Sequence, residues 1–197
     1  MSIHLTNRIK EEIEKEAIRT LRDCDIHKLP VDINQLMSSK DIEIRYYLSC
    51  TEEMRNHLLK ASTDGFTKRD GENSMIYIND NGMNIEERMR FTFMHELGHI
   101  VLNHLEHSEL AEREADYFAG YILAPPVLIY TLKDDFKNKD YISYIFKISR
   151  PASVRALCTY YNWLNQYNET KHLENYEIVT LQLFRDYINN NVYFISY

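Results

Sequence analysis

Five consecutive residues, His95-Glu96-Leu97-Gly98-His99, carry the most concentrated chemistry in the chain. Residues four apart share one face of an α-helix, so His95 and His99 can direct two imidazole nitrogens at a single zinc ion (Zn2+). Glu96 stands beside that face, where a carboxylate can take a proton from a water that the metal polarises. The chemistry implied is metal-assisted hydrolysis. Two histidines leave such a centre incomplete, because a catalytic zinc site usually has three protein ligands and keeps its fourth position for water.

The third ligand must come from elsewhere in the chain. An elongated motif would place a glycine three residues after His99 and a histidine three further on, but Leu102 and Leu105 occupy those positions. Downstream runs Glu112-Arg113-Glu114-Ala115-Asp116-Tyr117-Phe118-Ala119, in a helical pattern whose apolar stripe is Ala111, Ala115, Phe118 and Ile122. Wheel geometry places Glu112 and Glu114 equally well to face inward, so periodicity does not choose between them. Asp116 favours Glu112: it lies one turn beyond, on the same side, where it can accept the outer N–H of a ligand histidine and set its tautomer. Glu112 is therefore the expected ligand, and Glu114 its main rival.

The elements that must position these groups can also be read. From Ile85 to Leu105, Met89, Phe93, Leu97, Ile100 and Val101 form one helical stripe, and Thr92, His95, Glu96 and His99 form another. Asn84 is the expected N-cap, with Glu86 and Glu87 in the first turn. An opening helix is marked by Ile9, Ile13, Ala17 and Leu21, and Pro30 to Met37 reads as a turn entering a short helix. Ile42-Glu43-Ile44-Arg45-Tyr46 alternates as a strand, and Phe66 to Arg69 and Met75 to Ile78 read as two more, joined by a turn at Asp70-Gly71. The expected fold class is α+β, mainly helical, with a small, mostly antiparallel three-stranded sheet. Pro125-Pro126 must interrupt the apolar stretch from Tyr121 to Leu132.

Taken together, these blocks resemble the ImmA/IrrE metallopeptidases, a bacterial cytoplasmic group related in its zinc site to the glutamate-zincins. The resemblance runs from Pro30-Val31-Asp32-Ile33, through Asp64-Gly65-Phe66 and Ile76-Tyr77-Ile78-Asn79, to Arg90-Phe91-Thr92-Phe93-Met94-His95-Glu96-Leu97-Gly98-His99 and then Glu112 to Pro125. It implies a zincin-like domain over residues 1–130, a helical hairpin over 131–168 packed on it, and a helical and aromatic extension over 169–197. It also implies Glu112 as third ligand with Asp116 as its partner. A strand ahead of the active-site helix would border the cleft, and Met75 to Asn79 is the expected free edge for a peptide substrate. The substrate class implied is a helix-turn-helix repressor. The alternative is a module that binds a repressor or a toxin-antitoxin partner without cutting it.

Composition narrows the remaining classes. A net charge of −7 disfavours direct nucleic-acid binding, which needs clustered positive charge. The one basic candidate is Lys137 to Arg155, with Lys147, Arg150 and Arg155 as contacting residues, and a hairpin packed on the catalytic domain is the plainer reading of that stretch. Cys24, Cys50 and Cys158 are far apart and odd in number, which suggests reduced thiols in a cytoplasmic protein. The charged stretch Arg8 to Lys15 lacks the apolar core of a signal peptide, and no run approaches the ~20 apolar residues of a membrane span. His104 and His107, just past the motif helix, read as simple partners of its dipole.

Overall fold

The computed structural model describes residues 4–70, 73–81 and 85–195. In chain order its helices are α1 (Asn7–Asp23), α2 (Ile33–Lys40), α3 (Glu52–Ala61), α4 (Ile85–Val101), α5 (Glu109–Leu123), α6 (Pro126–Tyr130), α7 (Lys139–Phe146), α8 (Arg150–Thr170), α9 (Asn175–Leu183) and α10 (Arg185–Asn189). Its strands are β1 (Glu43–Tyr46), β2 (Gly65–Asp70) and β3 (Asn73–Ile78). The fold is therefore α+β and mostly helical, around one small sheet.

Local signals account for most of these boundaries. Thr6, Asp32, Thr51, Ser108, Asn138 and Ser149 each accept a backbone N–H of the first turn that follows them, in helices α1, α2, α3, α5, α7 and α8. Pro126 starts α6 after α5 has ended at Leu123, the break that the proline pair demands. The N-cap expected at Asn84 and the Gly71 half of the β2–β3 turn lie outside the described residues.

The sheet order is β1-β3-β2, with β2 antiparallel and β1 parallel to β3. The sheet is thus mixed, where mostly antiparallel pairing was expected. The physical reason is the path between β1 and β3, which runs through a 3-10 turn, α3 and β2 before returning. A second correction follows from the order: Met75 to Ile78 is central, so the free edge expected there belongs to β2 instead. Composition agrees, since β3 buries Ile76, Tyr77 and Ile78 in succession whereas β2 carries Lys68 and Arg69, as edge strands commonly do. Alternation along β3 sends Ile76 and Ile78 to the main core and Tyr77 to a smaller cluster with Tyr47 and Leu58.

One hydrophobic core extends from Ile13 in α1 to Phe194 near the end of the described chain. The apolar stripes of the sequence supply much of it: Ile13, Ala17 and Leu21 of α1; Phe93 and Leu97 of α4; Phe118 and Ile122 of α5, with Ala115 buried as well. Residues 169–197 contribute Phe184, Ile188 and Phe194 to the same core, and Leu132 bridges to Phe194. Helix α8 continues unbroken through the polar stretch Asn162 to Asn168. Ile142, Ile145 and Phe146 bury the α7 face, while Lys147 pairs with Glu86 and Arg150 with Asp140, which dilutes the basic candidate there. No helix among the described residues is long and apolar enough to cross a membrane.

Two contacts decide where α5 lies. A Cβ on Gly98 would sit 3.1 Å from Phe118 Cδ1 and 3.2 Å from Ala115 Cα, tighter than ordinary contact, so the missing side chain at 98 favours the close approach of α4 and α5. At the other side of α5, Glu14 of α1 accepts hydrogen bonds from the hydroxyls of Tyr117 (α5) and Tyr176 (α9, 2.7 Å). Burial, then the nearby charge of Glu177, raises the Glu14 carboxyl above its ordinary value, although the two tyrosines and Lys10 oppose the rise.

Gly98→Val should lower unfolding stability by about 1–3 kcal/mol, the usual cost of overpacking, in urea titrations; an unchanged midpoint would refute the close-contact account. For Glu14 the sign follows from linkage. A carboxyl raised in the folded state gives its stabilisation at low pH and loses it as pH rises through the folded value. Glu14→Gln should therefore gain on the wild type in thermal midpoint as pH increases between about 4 and 7. A difference that stays constant across that range would contradict it.

Candidate metal centre

Helix α4 presents His95 and His99 on one face, with their Nε2 atoms 3.1 Å apart. Helix α5 brings Glu112 opposite them: Oε2 lies 3.3 Å from His95 Nε2 and Oε1 lies 3.6 Å from His99 Nε2. One ligand atom from each of the three residues falls within 4.8 Å of the others, a spacing that one metal ion can bridge. The Gly98 contact is the cause, since these two helices face each other directly across it.

The tautomers can be derived. Asp116 Oδ1 lies 2.8 Å from His95 Nδ1, and a carboxylate only accepts, so Nδ1 carries the proton, and in the neutral ring Nε2 keeps its lone pair. The Nε2 atoms of His95 and His99 face each other at 3.1 Å, so both rings border the same point in space. Burial, reinforced by the charge of His95, pushes the His99 imidazolium down to about 4, which keeps this ring neutral. Burial pulls His95 down as well, but Asp116, Glu96 and Glu112 outweigh it and leave it above the ordinary value. Two imidazole nitrogens and one carboxylate are a ligand set that fits a divalent metal ion with positions left open.

Glu96 is buried next to this cluster. Thr67 of β2 donates its hydroxyl to Glu96 Oε2 at 2.8 Å, orienting the carboxylate from the edge strand. Burial raises the Glu96 carboxyl above its usual value and Glu112 adds to that, against the Thr67 bond and His95. A carboxylate so placed is a competent proton acceptor and a competent donor afterwards.

The rival acid has a different place. Glu114 Oε2 lies 2.8 Å from His104 Nε2, and His104 Nδ1 lies 3.0 Å from His99 Nδ1. Sequence reasoning missed His104, although one signal pointed to it. Asn103, with φ 55°, takes the left-handed position that ends α4. His104 N–H then donates to His99 O and Asn103 N–H to Ile100 O, closing the helix with the following residue folded back beside His99. Arg69 of β2 donates to His99 O at 2.7 Å and to Asn103 Oδ1 at 3.0 Å, so the edge strand also holds this helix end. His107 is exposed, with Nδ1 3.4 Å from Glu112 Oε1.

The centre opens into a cleft of about 590 Å³ whose walls include Gly65, Phe66 and Thr67 of β2, Phe91 and Thr92 of α4, and His107. A larger cavity of about 880 Å³ adjoins it and shares Arg88, Phe91 and Asp116. Its other walls combine apolar groups such as Leu5, Tyr121, Ile148 and Ala152 with the charged Lys10, Glu87, Arg113 and Arg155. The three cysteines are free and outside both cavities.

No curated protein matches this chain. The Peptidase_M78 family model, described as the IrrE N-terminal-like domain, matches residues 51–155, a span that holds β2, β3, the motif helix, Glu112 and the turn between α7 and α8. That span is just over half of the 197 residues, and the chain belongs to this metallopeptidase family, the IrrE N-terminal-like peptidases.

Proposed function

We propose that this chain is a zinc-dependent endopeptidase of the cytoplasm, with His95, His99 and Glu112 as metal ligands and Glu96 as the general base. The observation that carries this reading is the convergence of three ligand atoms within 4.8 Å, with a buried carboxylate directly beside them. Zinc held there would supply Lewis-acid polarisation of the scissile carbonyl and would acidify the attacking water.

Every other part of the work falls to the chain. Glu96 takes the proton of the attacking water and returns it to the leaving amine nitrogen, and its raised pKa serves the second transfer as well as the first. Thr67 aims Glu96, and Asp116 holds His95 in the tautomer whose Nε2 is free. Strand β2 has β3 on one side and no strand on the other among the described residues. An extended peptide can pair with that open edge, which runs along the cleft through Gly65, Phe66 and Thr67. Gly65 belongs there for a steric reason: a Cβ would approach Tyr77 O to 2.5 Å and Thr92 Cγ2 to 2.8 Å. The adjoining cavity, with both apolar and charged walls, can take side chains of the same substrate. The substrate proposed from the family resemblance is a helix-turn-helix repressor.

The test is incubation of zinc-loaded protein with its cognate repressor, with products read by intact mass spectrometry. Wild type should cut the repressor at a defined bond, and Glu96→Gln should be slower by about 10²–10⁴-fold while it still takes up zinc. Equal cleavage by Glu96→Gln would overturn the proposed mechanism. A stable complex with the repressor intact would replace the protease reading with that of a binding module.

A further inference from the structure

We propose that His104 and Glu114 are positioning residues that fix the tautomer of His99, so that its Nε2 lone pair is the one offered to the metal. The inference rests on the metal reading above and adds two residues to it. Its basis is a line of three polar groups behind the ligand: Glu114 Oε2 at 2.8 Å from His104 Nε2, and His104 Nδ1 at 3.0 Å from His99 Nδ1. Both side chains are shielded, His104 at 10% and Glu114 at 19% exposure.

The proton positions follow from the end of the line. A carboxylate can only accept, so His104 Nε2 carries hydrogen. In a neutral ring Nδ1 then bears the lone pair and accepts from His99 Nδ1–H, which leaves the His99 Nε2 lone pair directed at Glu112 and His95. Were the carboxylate absent, His104 could move its proton to Nδ1 and force His99 to hold hydrogen on Nε2, the wrong tautomer for a ligand there. Each ligand histidine therefore has a carboxylate behind it. Asp116 acts directly on His95, and Glu114 acts on His99 through an intervening imidazole. The backbone enforces the arrangement, because the α4 terminus at Asn103 bonds His104 N–H to His99 O and sets the two rings edge to face, with centroids 5.0 Å apart and planes at 73°.

The experiment measures zinc affinity by chelator competition on the full chain, with the metal-free thermal midpoint recorded beside it. His104→Leu should weaken zinc binding by about 10–100-fold, the usual effect of losing such a partner. His104→Gln should restore most of that loss, since an amide can accept from His99 and donate to Glu114. Glu114→Leu should also weaken binding, but should add little in the His104→Leu background, as for groups acting in series. If His104→Leu does not fold, imidazole ¹⁵N spectra of the zinc-loaded wild type decide: hydrogen on His99 Nδ1 and none on His104 Nδ1 supports the inference, and the reverse refutes it. Affinity unchanged in His104→Leu, or equal losses for Leu and Gln, overturns the inference and leaves the metal reading standing. A wild type that takes no zinc overturns both.

Discussion

The contact between α4 and α5 at Gly98 governs the geometry of everything near it. Two helices whose side chains interlock normally pack 8–10 Å apart between axes, but a glycine against Ala115 allows the backbones to come close. That approach lets one helix supply two imidazoles and the other a short carboxylate to the same small volume. With a wider separation, Glu112 would not reach the histidines at 3.3 and 3.6 Å. The larger fold serves this contact. Phe118 and Ala115 press on Gly98 from α5, α1 holds α5 from behind through Glu14 and Tyr117, and α9 adds Tyr176 to that buried bond network.

Strand β2 is the second determinant of the centre. Its position at the sheet edge leaves one side open, and its side chains are tied to the motif helix at two points. Thr67 bonds Glu96, and Arg69 bonds the carbonyls of His99 and Ile100 and the side chain of Asn103 at the helix end. The strand that a substrate would pair with is therefore also the strand that aims Glu96. Electrostatics around the histidines are consistent with this design: acids stand behind them, burial keeps His99 neutral, and two ring nitrogens converge on the Glu112 carboxylate.

Much of this was legible in residue types and spacing. The stripes of α1, α4 and α5 were readable because one buried face imposes a 3.6-residue period, and Ile13, Leu97 and Phe118 are all in the core. The grouping of His95, His99 and Glu112 was readable because helix geometry places i and i+4 together and Asp116 one turn past Glu112. The strand order was not, because pairing partners are chosen by tertiary packing, which local alternation does not encode. Even so, the unbroken burial of Ile76, Tyr77 and Ile78 beside the charged Lys68 and Arg69 carried a usable hint. Helix α3 carries a capping pattern in Thr51, Glu52 and Glu53, but it buries Leu58 with no apolar stripe around it, so periodicity does not mark it. His104 was read as a dipole partner because its role depends on a turn that reverses the chain, and such a turn places side chains by backbone geometry instead of periodicity.

The central claim is that one metal ion sits between α4 and α5 on His95, His99 and Glu112. Crystals of the zinc-loaded protein, measured with X-rays at the zinc absorption edge, test it most directly. The account predicts a single strong anomalous peak bonded to the Nε2 atoms of both histidines and to the Glu112 carboxylate, with Glu114 remote from it. A peak coordinated by Glu114, a peak elsewhere, or none after zinc loading would contradict it.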